Sequence, residues 1–221
     1  MAEDFWNIGN IDLGDLDFAD DDKNLVVSTK SVPTKCVKYE NAVKLAKRMD
    51  FSKNNRFEAI VKGDFIFGDF IEAFFVENNI YTECLTISTL SFGAENIASL
   101  HNLIEGGYVG RLRILASCYF YANERKKGGM IEHLYGLIDN TRLECVFADV
   151  HTKAVTFKTE GGKHIVINGS ANLRSSGCTE CFSVEDNEDI FDMYESYYDD
   201  IFKLYKGEPL RHNVMNKQLK N

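Results

Sequence analysis

Between residues 39 and 150 the spacing of apolar residues switches repeatedly between two patterns. Some segments show the helical period, and others show the short apolar runs of buried strands. Helix and strand are predicted in turn, at 39–51, 56–62, 64–78, 81–90, 94–105, 109–120, 129–139 and 143–150. Strands that alternate with helices favour parallel pairing, because each connecting helix then crosses a face of the sheet. The pattern predicts an α/β fold with helices on both faces of one sheet.

The alternation ends after Asp149. Residues 153–168 contain two strand patterns, KAVTFK and HIVIN, joined by TEGGK, whose glycines are typical of a hairpin turn. A last amphipathic helix is predicted over 188–205. Because a hairpin is antiparallel, we expect a mixed, mostly parallel sheet. The sequence shows no internal repeat, so no motif has a second copy in the chain.

Negative charge is concentrated at the start of the chain. Residues 1–22 hold eight Asp and Glu and no Lys or Arg, which accounts for nearly all of the net charge of −9. The acidic average is therefore a weak argument against nucleic-acid binding by the rest of the chain. We predict an acidic flexible segment of 1–35, a domain of 36–206 and a tail of 207–221. Two interpretations remain open for 1–24, a solubilising tail or a region that orders against a protein partner.

Apolar residues are nowhere concentrated enough to indicate a membrane segment. No run of about 18 apolar residues is present and no apolar leader opens the chain, so we expect a cytoplasmic protein without membrane contact. Most of the six cysteines lie in apolar segments, which is typical of a reducing compartment. Cys178 and Cys181 form a C-x-x-C without a second pair at zinc-finger spacing, so ordinary packing is preferred and no metal site is predicted.

Four polar side chains near the predicted hairpin have the spacing of a binding site. His151 and Lys153 are two residues apart, so they project from the same face of an extended segment. Ser170 and Asn172 repeat this spacing after the second strand, in a small-residue segment that allows close approach of the backbone. Both pairs lie at the same end of the hairpin. We expect the four donors to converge on an anion, although surface and turn residues are the alternative interpretation.

This pattern resembles the signature of the phospholipase D superfamily, H-x-K-x4-D followed by G-[GS]-x-N. The matching residues are His151, Lys153, Gly169, Ser170 and Asn172. The strand and helix patterns that precede the motif are also similar to those of the family. The resemblance covers roughly residues 55 to 205.

Further positions both extend and weaken the resemblance. Glu180 matches the glutamate of the N-x-E found downstream in the family, while Cys178 stands in place of its Asn. Lys158 stands at the position of the family's Asp, and the hairpin is longer than the signature allows. These departures put the efficiency of catalysis in doubt more than its chemistry.

The resemblance implies a metal-independent phosphodiesterase that needs no cofactor. One His attacks the phosphodiester to give a phosphohistidine, and a second His protonates the leaving oxygen. Lys and Asn side chains stabilise charge on the phosphate oxygens. Because the chain contains one H-x-K, the resemblance implies a homodimer that shares one active site. Small single-motif relatives are typically nucleases, so nucleic acid is the expected substrate.

Basic residues elsewhere in the sequence could guide an anionic strand to this site. The candidates are Lys158, Lys163, Arg174, Arg125, Lys126 and Lys127. A different function is also open, because Lys158 and the longer hairpin are what a weakened enzyme would carry. In that interpretation the chain is a phospholipase D-like module that binds nucleic acid or another phosphate ligand without turnover.

Overall fold

The computed structural model describes residues 34–38, 41–49, 56–62, 65–174 and 177–205. The strands in this part of the chain are β1 (Thr34–Lys38), β2 (Arg56–Val61), β3 (Thr82–Thr89), β4 (Val109–Ser117), β5 (Leu143–Ala148), β6 (Ala154–Lys158), β7 (His164–Gly169) and β8 (Glu180–Asp186). The helices are α1 (Ala42–Ala46), α2 (Phe67–Glu77), α3 (Ala94–Glu105), α4 (Cys118–Glu124), α5 (Met130–Leu137) and α6 (Glu188–Tyr205). Most of the predicted acidic segment and the whole predicted tail lie outside the described residues.

All eight strands form one sheet in the order β1-β2-β8-β7-β6-β3-β4-β5. The sheet is mixed, as expected, but the expectation that it is mostly parallel is wrong. β1 pairs with β2 and β4 pairs with β3 and β5 in parallel, whereas the other four pairings are antiparallel. The reason is that β6, β7 and β8 form an antiparallel meander that lies between β2 and β3. The meander places the segment before β6 in the middle of the sheet.

Helices cover both faces of this sheet, as the alternating pattern predicts. In β6, Phe157 packs its ring against Phe74 and Phe75 of α2. The preceding residue, Thr156, donates a hydrogen bond to Glu195 of α6. Because successive residues of a strand point to opposite faces, α2 and α6 lie on opposite faces of the sheet. Among the described helices, none combines the length and the apolar character needed to cross a membrane.

Aromatic side chains dominate the core under α2. Phe70 and Phe74 are fully buried, and Phe70 also contacts Phe182 of β8 at a centroid distance of 4.9 Å. Burial of one such ring contributes about 1.5–3 kcal/mol to folding. The helix α2, which this apolar run predicts, therefore packs across both β6 and β8 on one face of the sheet.

The opposite face is closed by α6 alone among the described helices. Tyr198, Ile201 and Phe202 pack on apolar residues of β4, β5 and the segment after β5. Arg113 of β4 is buried beneath the helix, where it contacts Glu195 at 3.1 Å and lies 4.2 Å from the centroid of the Phe202 ring. The acidic face of this helix thus has a specific partner inside the fold, which fixes its position over the sheet.

A short helix replaces the end of one predicted strand. The apolar run 109–120 predicts a single strand, but β4 ends at Ser117 and α4 begins at the next residue. The Ser117 side chain caps the helix by accepting a hydrogen bond of 3.1 Å from the Phe120 amide. Phe120 and Tyr121 are buried on the inner side of the helix. An apolar run cannot separate these two outcomes, because buried strands and buried helix turns share the same composition.

Candidate active site

Three segments of the chain meet at one edge of the sheet, the edge formed by the start of β6, the end of β7 and the start of β8. The segment 151–153 leads into β6, Ser170 follows β7, and Glu180 begins β8. Backbone hydrogen bonds join them, from the Gly169 amide to the Lys153 carbonyl at 3.2 Å and from the Ser170 amide to the Cys181 carbonyl at 2.9 Å. The antiparallel meander therefore collects the residues of the sequence motif at a single edge.

His151 and Lys153 contact each other directly. The Lys153 ammonium lies 3.2 Å from His151 Nδ1 and donates a hydrogen bond of 3.0 Å to the His151 carbonyl. An ammonium group can only donate, so Nδ1 accepts in this contact and the neutral ring carries its proton on Nε2. His151 is exposed and Lys153 is half-buried. The imidazole therefore presents its Nε2 edge as the group available to a ligand.

The charge of Lys153 depends on two opposing influences. Partial burial lowers the pKa of its ammonium, and the negative charge of Glu180 raises that pKa in part. Glu180, predicted from the downstream motif, begins β8 at the same edge as the H-x-K residues, which agrees with this electrostatic coupling. A cation that has lost some of its hydration is a favourable partner for a phosphate anion.

Thr152, which lies between His151 and Lys153, contacts supporting groups inside the fold. The Ser88 hydroxyl lies 2.6 Å from Thr152 Oγ1 and donates a hydrogen bond of 3.1 Å to the Thr152 carbonyl. The hydroxyl of the buried Tyr198 lies 3.5 Å from the same Oγ1. Burial raises the pKa of Tyr198, so this hydroxyl keeps its proton at neutral pH. Ser88 of β3 and Tyr198 of α6 thus hold Thr152 and orient its two neighbours.

Sequence reasoning missed both of these supporting residues. Ser88 lies within a predicted strand and Tyr198 on the apolar face of a predicted helix, so each fits an ordinary structural interpretation. Ser88 is one of several hydroxyl residues in that strand, so the sequence gives no separate signal for it. Nothing local distinguishes Tyr198 from the other aromatic residues of its helix.

Ser170 links Glu180 to the backbone of β8. Its hydroxyl donates a hydrogen bond to the Glu180 carboxylate and accepts one of 3.0 Å from the Cys181 amide. The preceding Gly169 is required here, because a Cβ at that position would lie 2.6 Å from the Phe182 Cα and closer still to the Cys181 carbonyl. The glycine of the motif therefore allows β7 and β8 to approach closely enough for Ser170 to reach Glu180.

Asn172 is oriented by the end of β3. Its side-chain Oδ1 accepts a hydrogen bond of 3.3 Å from the Leu90 amide, which identifies Nδ2 as the atom that can donate to a ligand. The next residue is fixed as well, because the Leu173 carbonyl accepts a hydrogen bond of 2.9 Å from Asn96 of α3. The carboxamide of the motif is thus held by one backbone amide, that of Leu90 immediately after β3.

The predicted basic residues are divided between the two ends of the strands. Lys158 is the last residue of β6 and pairs with His164, so it lies about 13 Å of strand away from Ala154. Lys163 lies at the same far end, 3.8 Å from Asp186 Oδ2. The hairpin therefore places these two lysines at the opposite ends of the strands from the motif, and their contact with an anionic strand stays a prediction.

The other predicted basic residues lie nearer to the motif in the chain. Arg174 is exposed and follows Asn172 by two residues. Arg125, Lys126 and Lys127 are exposed after the last turn of α4, a helix that begins at the same edge as the site. Across the described residues, no group of three or more His, Cys, Asp or Glu side chains is placed to hold a metal ion.

Comparison with known proteins gives neither a family nor an activity for this chain. No family model matches the sequence, and no curated protein matches it. The fold is similar to polyphosphate kinase from Porphyromonas gingivalis, with a TM-score of 0.47, 12% identity and coverage of 63% of this chain and 25% of that chain. It is also similar to phosphatidylserine synthase from Haemophilus influenzae Rd KW20, with a TM-score of 0.46, 13% identity and coverage of 68% and 38%.

A third similar structure is TrmBL2, described as an archaeal chromatin protein with a novel mode of DNA binding. Its TM-score is 0.42 at 10% identity, and the match covers 72% of this chain and 56% of that one. The chain thus spans between a quarter and somewhat more than half of these proteins. Likenesses this weak support no conclusion about activity. The fold and the edge site define a mixed α/β protein with an imidazole, an ammonium and a carboxylate at one sheet edge.

Proposed function

We propose that this chain is a metal-independent phosphodiesterase of the phospholipase D type, that it cleaves nucleic acid, and that two copies form one active site. The observation that carries the proposal is the contact between the Lys153 ammonium and His151 Nδ1, at an edge that also holds Ser170 and Glu180. An exposed imidazole next to a partly desolvated cation is what attack on a phosphate requires.

Three donors are available to bind the phosphate. The Lys153 ammonium supplies charge, Asn172 Nδ2 supplies a neutral donor, and His151 Nε2–H supplies a third hydrogen bond. Donors on separate segments can contact different non-bridging oxygens, because each segment is fixed by its own backbone contacts. These groups stabilise the charge that develops on those oxygens during the reaction.

The ligand itself would prepare His151 for attack. Nucleophilic attack needs a lone pair on Nε2, but the contact with Lys153 favours the proton on that atom. A bound phosphate attracts the Lys153 ammonium away from Nδ1, which can then hold the proton and leave Nε2 unprotonated. Nε2 forms a bond to phosphorus as the bond to the leaving oxygen breaks, and water then hydrolyses the phosphohistidine.

The second copy of the chain supplies the proton for the leaving oxygen. Each H-x-K motif provides one imidazole, so the acid is the His151 of another copy, related by a two-fold axis. His151 and Ser170 are exposed in the single chain, which leaves them accessible to such a partner. A mixed dimer of one wild-type chain and one His151→Ala chain would keep the nucleophile and lose the acid, which separates the two roles.

The test is cleavage of labelled single- and double-stranded DNA and RNA in excess EDTA. The wild-type chain should cleave at least one substrate, and His151→Ala should abolish this cleavage. Lys158→Ala is a matched control, since Lys158 is exposed at the far end of β6 and its loss should leave the rate unchanged. Absence of cleavage by the wild type, or equal rates for wild type and His151→Ala, would contradict the proposal.

A binding module without turnover is the second candidate. The contact between Lys153 and Nδ1 favours it, because a ring held with its proton on Nε2 is a donor to anions and not a nucleophile. This candidate predicts binding to nucleic acid that weakens with salt and survives His151→Asn, with no cleavage. A flat binding isotherm at low salt would remove it.

A further inference from the structure

One aromatic side chain near the site remains largely in water. Tyr119 of α4 is 78% exposed, the largest value among the big hydrophobic side chains of the described residues. The next two residues of the helix behave differently, since Phe120 packs on Phe92 and Tyr121 packs on Phe147. Packing of the core therefore explains two of three consecutive aromatic residues and leaves Tyr119 without a structural role.

The position of Tyr119 relates it to the proposed phosphate site. The helix cap Ser117 donates a hydrogen bond of 2.9 Å to the Leu90 carbonyl, and the Leu90 amide donates to Asn172 Oδ1 at 3.3 Å. Two hydrogen bonds thus connect the start of α4 to a residue of the site. In the sheet, β4 is two strands from β6, which corresponds to about 10 Å. A nucleotide next to the bound phosphate can span this distance.

Charges around α4 favour a base at Tyr119 and phosphates on either side of it. Asp149 lies near the start of the helix, because it follows Ala148, which pairs with Ser117. Burial raises the pKa of Cys118 to about 11, and the negative charge of Asp149 adds to that rise. That carboxylate disfavours a phosphate group at this point but not a neutral base. Beyond the other end of the helix are three exposed cations, at 125–127. The nearby Glu132 is turned to the backbone, where it accepts a hydrogen bond of 2.6 Å from the Gly128 amide.

We propose that Tyr119 is a stacking platform for an unpaired base, and that the substrate class of this site is single-stranded nucleic acid. This inference rests on the proposed function, because it concerns the strand whose phosphate is bound at Lys153. A base inside a duplex is already stacked on its neighbours and cannot pack on Tyr119 unless it leaves the helix. Stacking on an aromatic ring is tolerant of sequence, so the proposal predicts little preference among bases.

The experiment measures binding by fluorescence anisotropy with the full chain. One probe is a phosphorothioate-linked oligothymidylate of about 12 nucleotides, which resists cleavage, and the other is an abasic strand of equal length and charge. Tyr119→Ala should weaken binding of the oligothymidylate about 5- to 100-fold and leave the abasic strand unaffected. Tyr119→Phe should bind like the wild type. Tyr81→Ala is the matched control, since Tyr81 is a partly exposed tyrosine that precedes β3, at the opposite end of that strand from Leu90 and the site.

The outcomes separate this inference from the proposed function. Equal affinity of wild type and Tyr119→Ala for the oligothymidylate, or an equal loss with both probes, overturns the stacking role. Lys153→Ala should weaken both probes, because both carry the backbone charge. If Lys153→Ala changes neither, the proposed phosphate site itself fails, whatever Tyr119 does. A duplex of the same length should show no difference between wild type and Tyr119→Ala.

Discussion

Replacement of Gly169 by Ala tests the close approach of strands on which the site depends. Gly169 ends β7 and pairs with Phe182 of β8. An added Cβ would lie 2.6 Å from the Phe182 Cα, and closer still to the Cys181 carbonyl. Both are backbone atoms, so no side-chain rotation can relieve the overlap. The two strands must separate at this end if the variant is to fold.

The cost of this separation follows from the contacts that it breaks. Carbon atoms pack at about 3.5–4.0 Å, so the strands must move apart by roughly 1 Å. That movement lengthens the hydrogen bonds between Ser170 and Cys181, which measure 2.9 and 3.0 Å. Overpacking costs about 1–3 kcal/mol and each lost hydrogen bond about 0.5–1.5 kcal/mol. We expect Gly169→Ala to lower the free energy of unfolding by about 2–6 kcal/mol.

Urea unfolding followed by circular dichroism measures this change. Gly136→Ala is the matched control, because a Cβ at Gly136 in α5 would meet no atom within 4 Å. Alanine is favoured over glycine in a helix, so this control should raise the free energy of unfolding by about 0.5–1 kcal/mol. Two identical chemical changes should thus act in opposite directions. A loss below about 1 kcal/mol for Gly169→Ala would refute the close approach of β7 and β8.

Three further predictions concern the support of the site and its charge. Arg113→Met should lower the free energy of unfolding by about 1–3 kcal/mol in the same assay, because it leaves the acidic groups of α6 without their buried partner. Arg111→Met, at an exposed position of the same strand, should change it little. Oligonucleotide affinity should fall as pH rises through the pKa of Lys153, which burial lowers below the usual lysine value, since only the ammonium attracts phosphate. In an anisotropy titration, Lys153→Arg should keep its oligonucleotide affinity to higher pH than the wild type. A wild-type affinity that is constant to above pH 10.5 would contradict the assignment of Lys153 as the phosphate-binding cation. Tyr198→Phe should slow cleavage about 3- to 10-fold with little loss of stability, because it removes only the hydroxyl that faces Thr152. An unchanged rate would show that this contact does not orient the motif.

Several features of the fold follow from the sequence alone because they depend on neighbours in the chain. The helical spacing predicts 94–105 and 188–205, and α3 and α6 occupy these ranges. The spacing of two residues predicts that His151 and Lys153 face the same way, and their side chains are in contact. Both predictions concern local geometry, in which the period of the backbone decides which side chains meet.

The arrangement of the strands could not be obtained in this way. A strand pattern records which residues are buried, but it is the same whether the strand lies beside one neighbour or another. The insertion of β6, β7 and β8 between β2 and β3 therefore reversed the expected balance of parallel and antiparallel pairs.

The sequence by itself determined most of the elements, the apolar faces and the local spacing of the H-x-K and G-S-x-N residues. Only the tertiary structure decided that Ser88 and Tyr198 support Thr152, and that Gly169 lets Ser170 reach Glu180. These contacts join residues that are far apart in the chain, and their geometry is set by strand order and by the packing of α6. Local propensity carries no information about such contacts, because it is the same for any order of the strands.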